Sequence, residues 1–186
     1  ARNIAKIANQ NNIATIHAYF NDTIASKILL HYGKVDLVTA SNVFAHSDEL
    51  KNITVNAFNI LKERGTFIIE VQYLLDTIET LTFDNIYHEH VNYWSVTALK
   101  NFFIGLGFHM THVEHLDTHG GSIRVYVSRE DKADDAVVTF LDNERAAGVP
   151  CFSYYEGFSS QIDTLKKNVR INMDLLKEEH KKIAGY

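Results

Sequence analysis

Cysteine and proline are almost absent from this sequence of 186 residues, where each occurs once. The single thiol, Cys151, excludes a disulfide framework and a cysteine-rich zinc site. It directly follows Pro150, the one proline, which marks a boundary between two segments of the chain. An unreactive, unpaired thiol fits a reducing compartment, so we expect a cytoplasmic protein.

Excess positive charge and long apolar runs are also missing. The sequence has 18 basic and 23 acidic residues, which gives a net charge of −5 with its histidines neutral. A nucleic-acid partner would call for a basic patch or stripe, and a membrane span for about 20 consecutive apolar residues. We therefore expect neither partner, and the composition favours no particular oligomeric state. The hydrophobic content of 46% is that of an ordinary globular protein, and 186 residues are enough for one domain with a core.

Apolar periodicity alternates between helical and strand spacing in the first 71 residues. It predicts helices at residues 3–9, 22–32 and 48–62 and strands at 13–20, 34–40 and 66–71. Such alternation indicates a parallel sheet covered by helices. The apolar run at 34–40 predicts a strand buried on both faces, and Gly65 is expected to end the helix before the last strand.

The pattern changes after residue 71. Residues 72–93 form an irregular aromatic insert, followed by a helix at 96–104 and an antiparallel hairpin of strands 108–116 and 121–129. We expect this hairpin at the edge of the sheet. Residues 130–150 are charged and contain a short helix, and residues 155–182 form a long one. The predicted units are residues 1–129 and 130–186.

Ligands in open α/β sheets bind beyond the carboxyl ends of the strands. That rule selects "HAY" (17–19), "SNVFAH" (41–46) and the insert. Since consecutive strands joined by one helix are usually neighbours, His46 and the insert should leave the same edge of the sheet and converge.

The insert contains "IYHEHVNYW" (86–94), where Glu89 lies between His88 and His90. On an extended backbone the two imidazoles would point the same way and Glu89 the other. Three interpretations stay open: a metal site, general acid–base catalysis, and a surface loop. Acid–base catalysis is favoured because histidine titrates near neutral pH and a metal lacks further ligands at diagnostic spacing. Tyr93 and Trp94 are expected to serve packing.

A second candidate is "THGGSIR" (118–124). The amides of Gly120 and Gly121 could cradle an anion, and Arg124 could bind phosphate or carboxylate through two hydrogen bonds. An ordinary hairpin turn explains the two glycines equally well. No glycine-rich nucleotide loop is found anywhere in the sequence.

Four segments, "SNVFAHSDEL", "FIIEVQYLLD", "FDNIYHEHVNYWS" and "THGGSIRVY", occur in this order. Together they resemble the S-adenosylmethionine-dependent C-methyltransferases that act on NDP-deoxysugars. The resemblance implies an α/β fold with a Rossmann-like class I methyltransferase sheet, mostly parallel with an antiparallel hairpin at its edge. It also implies that the first strands of that sheet are lacking. Residues 1–129 would be the later part of the methyltransferase domain. Residues 130–186 would be a linker and a long helix that leads into a second, truncated Rossmann-like domain.

The resemblance also implies roles for individual residues. His90 would be the general base, with Glu89 and Tyr87 beside it and His46 facing the same substrate. The residues that would contact the cofactor are Ala40, Ser41, Asn42, His17 and Tyr19. Those that would contact the nucleotide sugar are His88, His119, Gly120, Gly121, Ser122 and Arg124.

The implied cofactor is S-adenosyl-L-methionine, and zinc would be held only by an N-terminal part that this sequence does not contain. The implied reaction is methyl transfer to a carbon of an NDP-4-keto-deoxysugar, through an enolate formed by the histidine base. An O- or N-methyltransferase and a non-catalytic nucleotide-sugar binding module are the alternatives. Because the glycine loop is absent, we expect the chain by itself to be inactive.

Overall fold

A four-stranded mixed sheet is the centre of the computed structural model, which describes residues 2–184. Its strands are β1 (Val35–Ser41), β2 (Leu61–Gln72), β3 (His109–Leu116) and β4 (Ser122–Ser128), in the order β1-β2-β4-β3. β1 pairs with β2 in parallel, whereas β4 is antiparallel to both β2 and β3. Three of the four described strands therefore run in one direction, and the hairpin lies at the edge. The predicted α/β class and the edge hairpin are confirmed.

Helices surround this sheet and connect its strands. They are α1 (Arg2–Gln10), α2 (Asp22–Tyr32), α3 (Leu50–Ile60), α4 (Leu74–Glu79), α5 (Val96–Ile104), α6 (Asp135–Ala147), α7 (Ser153–Glu156) and α8 (Phe158–Glu178). Local capping explains several of their ends. The side chain of Asn21 accepts the amide of Ile24 at the start of α2, and Ser95 accepts that of Ala98 at the start of α5.

The core lies between the sheet and its covering helices. From Gly65 to the end of β2, every second residue is buried, including Phe67, Ile69 and Val71. Phe44 and Phe103 are fully buried against them in the same cluster. Burying a side chain of this size contributes about 1.5–3 kcal/mol, so this cluster is the main rigid support of the sheet edge.

Three sequence expectations about this region are wrong. Residues 13–20 form no strand, because no strand of the described residues pairs with their backbone. β1 is largely exposed, since it is an edge strand in the described sheet. Gly65 does not end a helix: α3 stops at Ile60, and Gly65 lies within β2.

The C-terminal part of the chain is helical, as predicted, but the helix predicted at 155–182 is divided. α7 is a single turn, and the longer α8 follows it after Gly157. No residue of α8 is buried, although apolar side chains recur along it. The division into units 1–129 and 130–186 stays a prediction, and residues 1, 185 and 186 of those units lie outside the described residues. Across residues 2–184, none of the helices is both long and apolar enough to cross a membrane.

Candidate functional site

The insert, predicted at residues 72–93, spans residues 73–94 in the structure because β2 extends to Gln72. It leaves the carboxyl end of β2 and returns to its own starting point. Tyr73 and Trp94 form a parallel bridge, and the amide of Leu74 donates to the carbonyl of Trp94 at 2.9 Å. The Trp94 ring packs 5.9 Å from the ring of Phe44, centroid to centroid, and is almost fully buried. The role in packing predicted for Trp94 is confirmed. The insert is thus a loop closed at its base and fixed to the core.

A second attachment joins the insert to the connection after β1. The amides of Val91 and Asn92 both donate to the carbonyl of Ala45, at 3.1 and 3.2 Å. The side-chain amide of Asn92 donates to the carbonyl of Ser47 at 2.7 Å. These bonds hold the single helical turn Phe44–His46 directly against the insert. The convergence expected from the neighbouring strands β1 and β2 is therefore found.

The imidazoles of His46 and His90 form the centre of the site. Their ring centroids are 4.7 Å apart and their planes are inclined by 56°. Nδ1 of His46 lies 2.8 Å from the carbonyl oxygen of Glu89, and Nδ1 of His90 lies 2.7 Å from that of Asn85. A carbonyl oxygen only accepts, so each Nδ1 must carry a hydrogen and donate it. In the neutral rings, both Nε2 atoms consequently keep a lone pair that can take up a proton.

Tyr87 lies on the other side of His90. The two ring centroids are 4.4 Å apart, and the amide of His90 donates to the carbonyl of Tyr87 at 3.1 Å. This hydrogen bond closes a turn, so the backbone here is not extended as expected. Consequently, His88 does not share a face with His90 by strand alternation. His88 and Glu89 are both exposed, and Glu89 supports His46 through its carbonyl rather than through its carboxylate.

A metal ion needs three or four protein ligands. Within residues 2–184, no group of three or more His, Cys, Asp or Glu side chains could hold one. The pair of His46 and His90 thus has no third metal ligand in the described part of the chain.

The turn at residues 118–121 packs against the insert from the side of the hairpin. The side-chain amide of Asn85 donates to the carbonyl of His119 at 3.3 Å. Gly120 and Gly121 both have positive φ, 77° and 114°, in the region that favours glycine. A methyl group at Gly121 would overlap Asp76, so the second glycine permits close approach of α4. The hydroxyl of Ser122 donates back to the carbonyl of Thr118 at 3.0 Å.

Arg124, whose side chain is 36% exposed, is paired with two carboxylates within the sheet. Its guanidinium donates to Oε2 of Glu70 at 2.9 Å and to Oε1 of Glu114 at 3.1 Å. The hydroxyl of Tyr126 also donates to Glu114, at 2.7 Å, and this bond, with help from Arg124, holds the pKa of Glu114 below its usual value. Arg124 thus bridges two carboxylates on one face of the sheet, where it aligns β2, β4 and β3.

The residues expected to contact a cofactor fall into two groups. Ala40, Ser41 and Asn42 end β1, and the amide of Asn42 donates to the carbonyl of Glu70 at 3.0 Å before the chain turns away with φ of 52°. His17 and Tyr19 lie on the irregular segment before α2, and both are exposed.

A cavity of about 570 Å³ lies between this irregular segment and the connection after β1. It is lined by Tyr19, Phe20, Asn21, Val43, His46, Ser47, Asp48, Glu49, Asn52 and Ile53. The volume is within the usual range of small-molecule sites, about 300–1,000 Å³. Neither His17 nor the end of β1 lines it, whereas Tyr19 does. His46 contacts both this cavity and the imidazole of His90, and so links two parts of the site.

Sequence reasoning missed two features of the site. Asn85 connects His90, the hairpin turn and β2, although it lies in an irregular stretch with no diagnostic pattern. Asp76 pairs with Nε2 of His115 at 2.7 Å and thereby ties α4 to β3. The available signal was Gly121, since a glycine with positive φ often marks close approach of another segment.

Comparison with known proteins gives two family matches. Residues 2–113 match the model of a methyltransferase domain, and residues 117–186 match that of a C-methyltransferase C-terminal domain. The C-methyltransferase NovU of Streptomyces niveus is 30% identical to this chain, in a match that covers all of this chain and 45% of NovU. The chain thus spans about half the length of the curated relative that it matches.

Two solved structures are similar in part. The magnesium protoporphyrin IX methyltransferase of Synechocystis PCC 6803 with bound SAH is 12% identical, with a TM-score of 0.41 over 58% of this chain and 57% of that one. LaPhzM is 16% identical, with a TM-score of 0.41 over 67% of this chain and 46% of that one. These likenesses are too distant to add to the geometry described above. From its match to the methyltransferase-domain model over residues 2–113, together with its similarity to NovU, the chain belongs to the methyltransferase-domain family as a relative of the C-methyltransferases.

Proposed function

We propose that this chain supplies the proton-abstracting site of an S-adenosylmethionine-dependent C-methyltransferase that acts on a nucleotide-linked keto-deoxysugar. The observation that carries the proposal is the pair of His46 and His90. Both rings use Nδ1 to donate to a backbone carbonyl, and both leave Nε2 as the basic atom.

Methylation at carbon requires a base that removes a proton from that carbon. Methylation at a hydroxyl oxygen or an amine nitrogen starts from an atom that already has a lone pair. A carbon next to a ketone must first lose a proton. Nε2 of His90 is the proposed acceptor, because its ring is half-buried and fixed by Asn85 on one side and Tyr87 on the other. A positioned base of this kind contributes typically about 10²–10⁴-fold to the rate.

Loss of that proton places negative charge on the ketone oxygen of the substrate. Donors held in place around that oxygen stabilise the charge without reorganisation. The proposed donors are the hydroxyl of Tyr87 and the ring of His46 once its Nε2 has taken up a proton; the ring centroids of these residues lie 4.4 and 4.7 Å from that of His90. Glu89 would act through its carbonyl, which fixes the His46 ring, and Tyr93 would border the site.

The cavity beside His46 has properties that suit the cofactor. Phe20, Val43 and Ile53 offer apolar walls for a flat ring system, and Asn21 and Asn52 offer hydrogen bonds at the rim. Tyr19 would cover the ring. Ser41 and Asn42 do not line the cavity, but they directly precede Val43, which does, so they would contact a part of the cofactor that extends toward the end of β1. The bound group would supply a methyl group on a positively charged sulfur. We make no such assignment for His17, which lies outside the cavity.

The nucleotide-sugar substrate is proposed from the motif resemblance and from the position of the turn at 118–121. That turn lies against the insert through Asn85, so a sugar above His90 would also reach His119 and Gly120. Gly121 and Ser122 would shape the turn rather than bind. We propose that Arg124 supports the sheet and that His88, which is exposed, contacts the substrate from the rim. A cytoplasmic location fits this class of substrate.

Deuterium exchange tests the proposed base without turnover. The protein is incubated in D₂O with an NDP-4-keto-deoxysugar, and exchange at the carbon next to the ketone is followed by mass spectrometry. Asparagine can reproduce the Nδ1 donor of histidine but cannot take up a proton, so His90→Asn should slow exchange by about 10²–10⁴-fold. An enzyme that methylates oxygen or nitrogen would show no exchange at all.

His31→Asn is a matched control for this experiment. Nδ1 of His31 also donates to a backbone carbonyl, that of Lys27 at 3.0 Å, but the ring is exposed on α2. This variant should exchange at the wild-type rate. If His90→Asn does the same, His90 is not the base and the proposed function is wrong.

A further inference from the structure

Asn85 ends the helical turn Phe83–Asn85 and is half-buried. Besides the bond of its own amide to the carbonyl of Thr82, it takes part in four further hydrogen bonds. Two involve its backbone carbonyl and two its side chain, and they reach three separate segments of the chain. A residue with so many connections in an irregular loop points to a role in fixing geometry.

The carbonyl of Asn85 faces the aromatic groups of the site. It accepts from Nδ1 of His90 at 2.7 Å and, at a longer 3.5 Å, from the hydroxyl of Tyr93. A carbonyl oxygen has two lone pairs and can serve both donors. The first bond decides which nitrogen of His90 carries the hydrogen, and therefore which nitrogen is basic.

The side chain of Asn85 fixes the direction of that carbonyl. Its amide nitrogen donates to the carbonyl of His119 at 3.3 Å, and its oxygen accepts from Nε2 of Gln72 at 3.2 Å. The asparagine side chain has one donating group, its NH2, and one accepting group, its oxygen, and here both groups are used. Asn85 is consequently held between the last residue of β2 and the hairpin turn, both of which belong to the rigid sheet.

The hairpin turn cannot move independently of this arrangement. A methyl group on Gly120 would lie 3.2 Å from Cγ2 of Thr82, so the turn and the insert are in close contact beside Asn85. Any displacement of His119 would be passed to Asn85, and from its carbonyl to the ring of His90.

We infer that Asn85 is the positioning residue of this site: it holds His90 as the Nδ1–H tautomer and couples that ring to the turn at residues 118–121. The importance of Asn85 for catalysis rests on the proposed function, whereas its effect on the tautomer of His90 is independent of that function. Neither aspartate nor alanine can replace asparagine here, since a carboxylate cannot donate to the carbonyl of His119 and alanine makes neither side-chain bond.

Nitrogen NMR of the imidazoles tests the inference directly. Long-range ¹H–¹⁵N correlation on the full chain with ¹⁵N-labelled histidine distinguishes the two tautomers, and His90→Gln identifies the His90 signals. Wild-type protein at a pH above the titration of its histidines should show His90 as the Nδ1–H form. In Asn85→Ala and in the nearly isosteric Asn85→Asp, the pattern should change to a mixture of the two tautomers. Asn85→Gln, which keeps both functional groups on a longer chain, should restore part of the wild-type pattern.

Asn92→Ala is the matched control. It also removes a side-chain amide that fixes the insert to a backbone carbonyl, that of Ser47, but Asn92 makes no bond to His90. The His90 pattern should be unchanged in this variant. If His90 stays in the Nδ1–H form in Asn85→Asp, or if Asn92→Ala alters it equally, Asn85 is not the positioning residue. Asn85→Asp decides the matter even where Asn85→Ala fails to fold.

Kinetic measurements connect the tautomer to catalysis. A misplaced base lowers the rate by about 10²-fold. In a longer, active protein that contains this chain, Asn85→Ala should therefore reduce kcat by that factor with little change in KM. The NMR readout needs neither substrate nor cofactor. A lost tautomer in Asn85→Ala together with normal deuterium exchange in His90→Asn would therefore contradict the proposed function and leave the positioning role standing.

Discussion

The ring of His46 lies 4.7 Å from that of His90, although one follows β1 and the other lies in the insert after β2. Each ring is fixed through Nδ1 by a carbonyl of the insert, Glu89 for His46 and Asn85 for His90. The insert therefore determines the orientation of both histidines. The attachments of the insert, at its base through Trp94 and at its side through Asn92, therefore also fix the two imidazoles.

Because the two rings share one site, we predict that they act as a unit. His90→Asn should lower kcat/KM for methyl transfer by about 10²–10⁴-fold, and His46→Asn by a similar or smaller factor. In the double variant the losses should not add, since removing either member already disables the pair. Because the chain by itself is expected to be inactive, steady-state kinetics of the two single variants and the double variant are measured in a longer, active protein that contains this chain. Additive losses would mean that His46 and His90 act independently.

The convergence of these histidines could be predicted because it follows from topology. Parallel strands joined by one helix are usually neighbours, so their carboxyl ends lie side by side at one edge of the sheet. One end each of α2, α5 and α6, unlike the end of α3, could be predicted for a different reason, since Asn21, Ser95 and Gly148 cap these helices through local bonds. Both kinds of information are contained in short stretches of sequence.

The position of Asn85 could not be predicted, because its partners are distant in sequence and impose no periodic pattern. Its amide reaches His119, and its carbonyl direction depends on Gln72. The pairing of Arg124 could not be predicted either. Nothing in "GGSIR" shows that Glu70 and Glu114 lie on either side of that arginine in the sheet.

The pairing of Arg124 predicts an effect on stability rather than on ligand binding. Arg124→Ala leaves the carboxylate of Glu70, whose side chain is only 12% exposed, without its partner. We expect the free energy of unfolding to fall by about 1–2 kcal/mol, less than for a fully buried pair because Arg124 and Glu114 are partly solvated. Urea denaturation measures this. Arg145→Ala, which breaks an exposed pair with Asp142, should cost under about 0.5 kcal/mol. Normal stability with a raised KM for the nucleotide sugar would instead assign Arg124 to the substrate.

Glu114 predicts a dependence of stability on pH. The hydroxyl of Tyr126 is the main cause of its lowered pKa. A carboxyl whose folded pKa lies below its unfolded value of about 4.3 stabilises the protein above that pH, and this contribution is lost as the pH falls through the folded pKa. Tyr126→Phe should therefore reduce the free energy of unfolding at pH 7, by under about 1 kcal/mol since Glu114 is partly exposed. The difference from wild type should shrink below about pH 4.

Urea denaturation between about pH 3 and pH 7 tests this sign. Tyr32→Phe, which alters an exposed ring at the end of α2, should follow the wild-type profile. A deficit in Tyr126→Phe that is equal at every pH would show that the hydroxyl acts through packing and not through Glu114.

The two glycines of the hairpin turn should differ in their tolerance of a methyl group. Both have positive φ, which costs a non-glycine residue about 1 kcal/mol or more. At Gly121 the added methyl group would also overlap Asp76 and disturb its pair with His115, whereas at Gly120 it would only press on Thr82. Gly121→Ala should therefore lower the free energy of unfolding by about 3 kcal/mol and Gly120→Ala by about 1 kcal/mol. Equal losses in thermal or urea denaturation would show that Asp76 moves away freely.

Glu144 is the most deeply buried carboxylate among residues 2–184, with no exposed surface, and it connects α6 to α5. Its two oxygens accept the amides of Val96 and Thr97, at 2.5 and 2.8 Å, in the first turn of α5. The negative charge is also favoured at this end of the helix dipole. Burial, together with the charge of Glu144, raises the pKa of the neighbouring Tyr73 at the base of the insert.

Removing Glu144 should be far more costly than removing the ordinary cap of the same helix. Glu144→Ala leaves the buried amide of Val96 and the partly buried amide of Thr97 without acceptors. An unsatisfied buried donor costs about 1–3 kcal/mol, so the free energy of unfolding should fall by about 3 kcal/mol. Glu144→Gln keeps one good acceptor and should fall between this value and wild type. Ser95→Ala, which removes only the side-chain cap on Ala98, should cost about 1 kcal/mol. Urea denaturation ranks the three variants, and a loss in Glu144→Ala no larger than in Ser95→Ala would mean that water replaces the carboxylate at the start of α5.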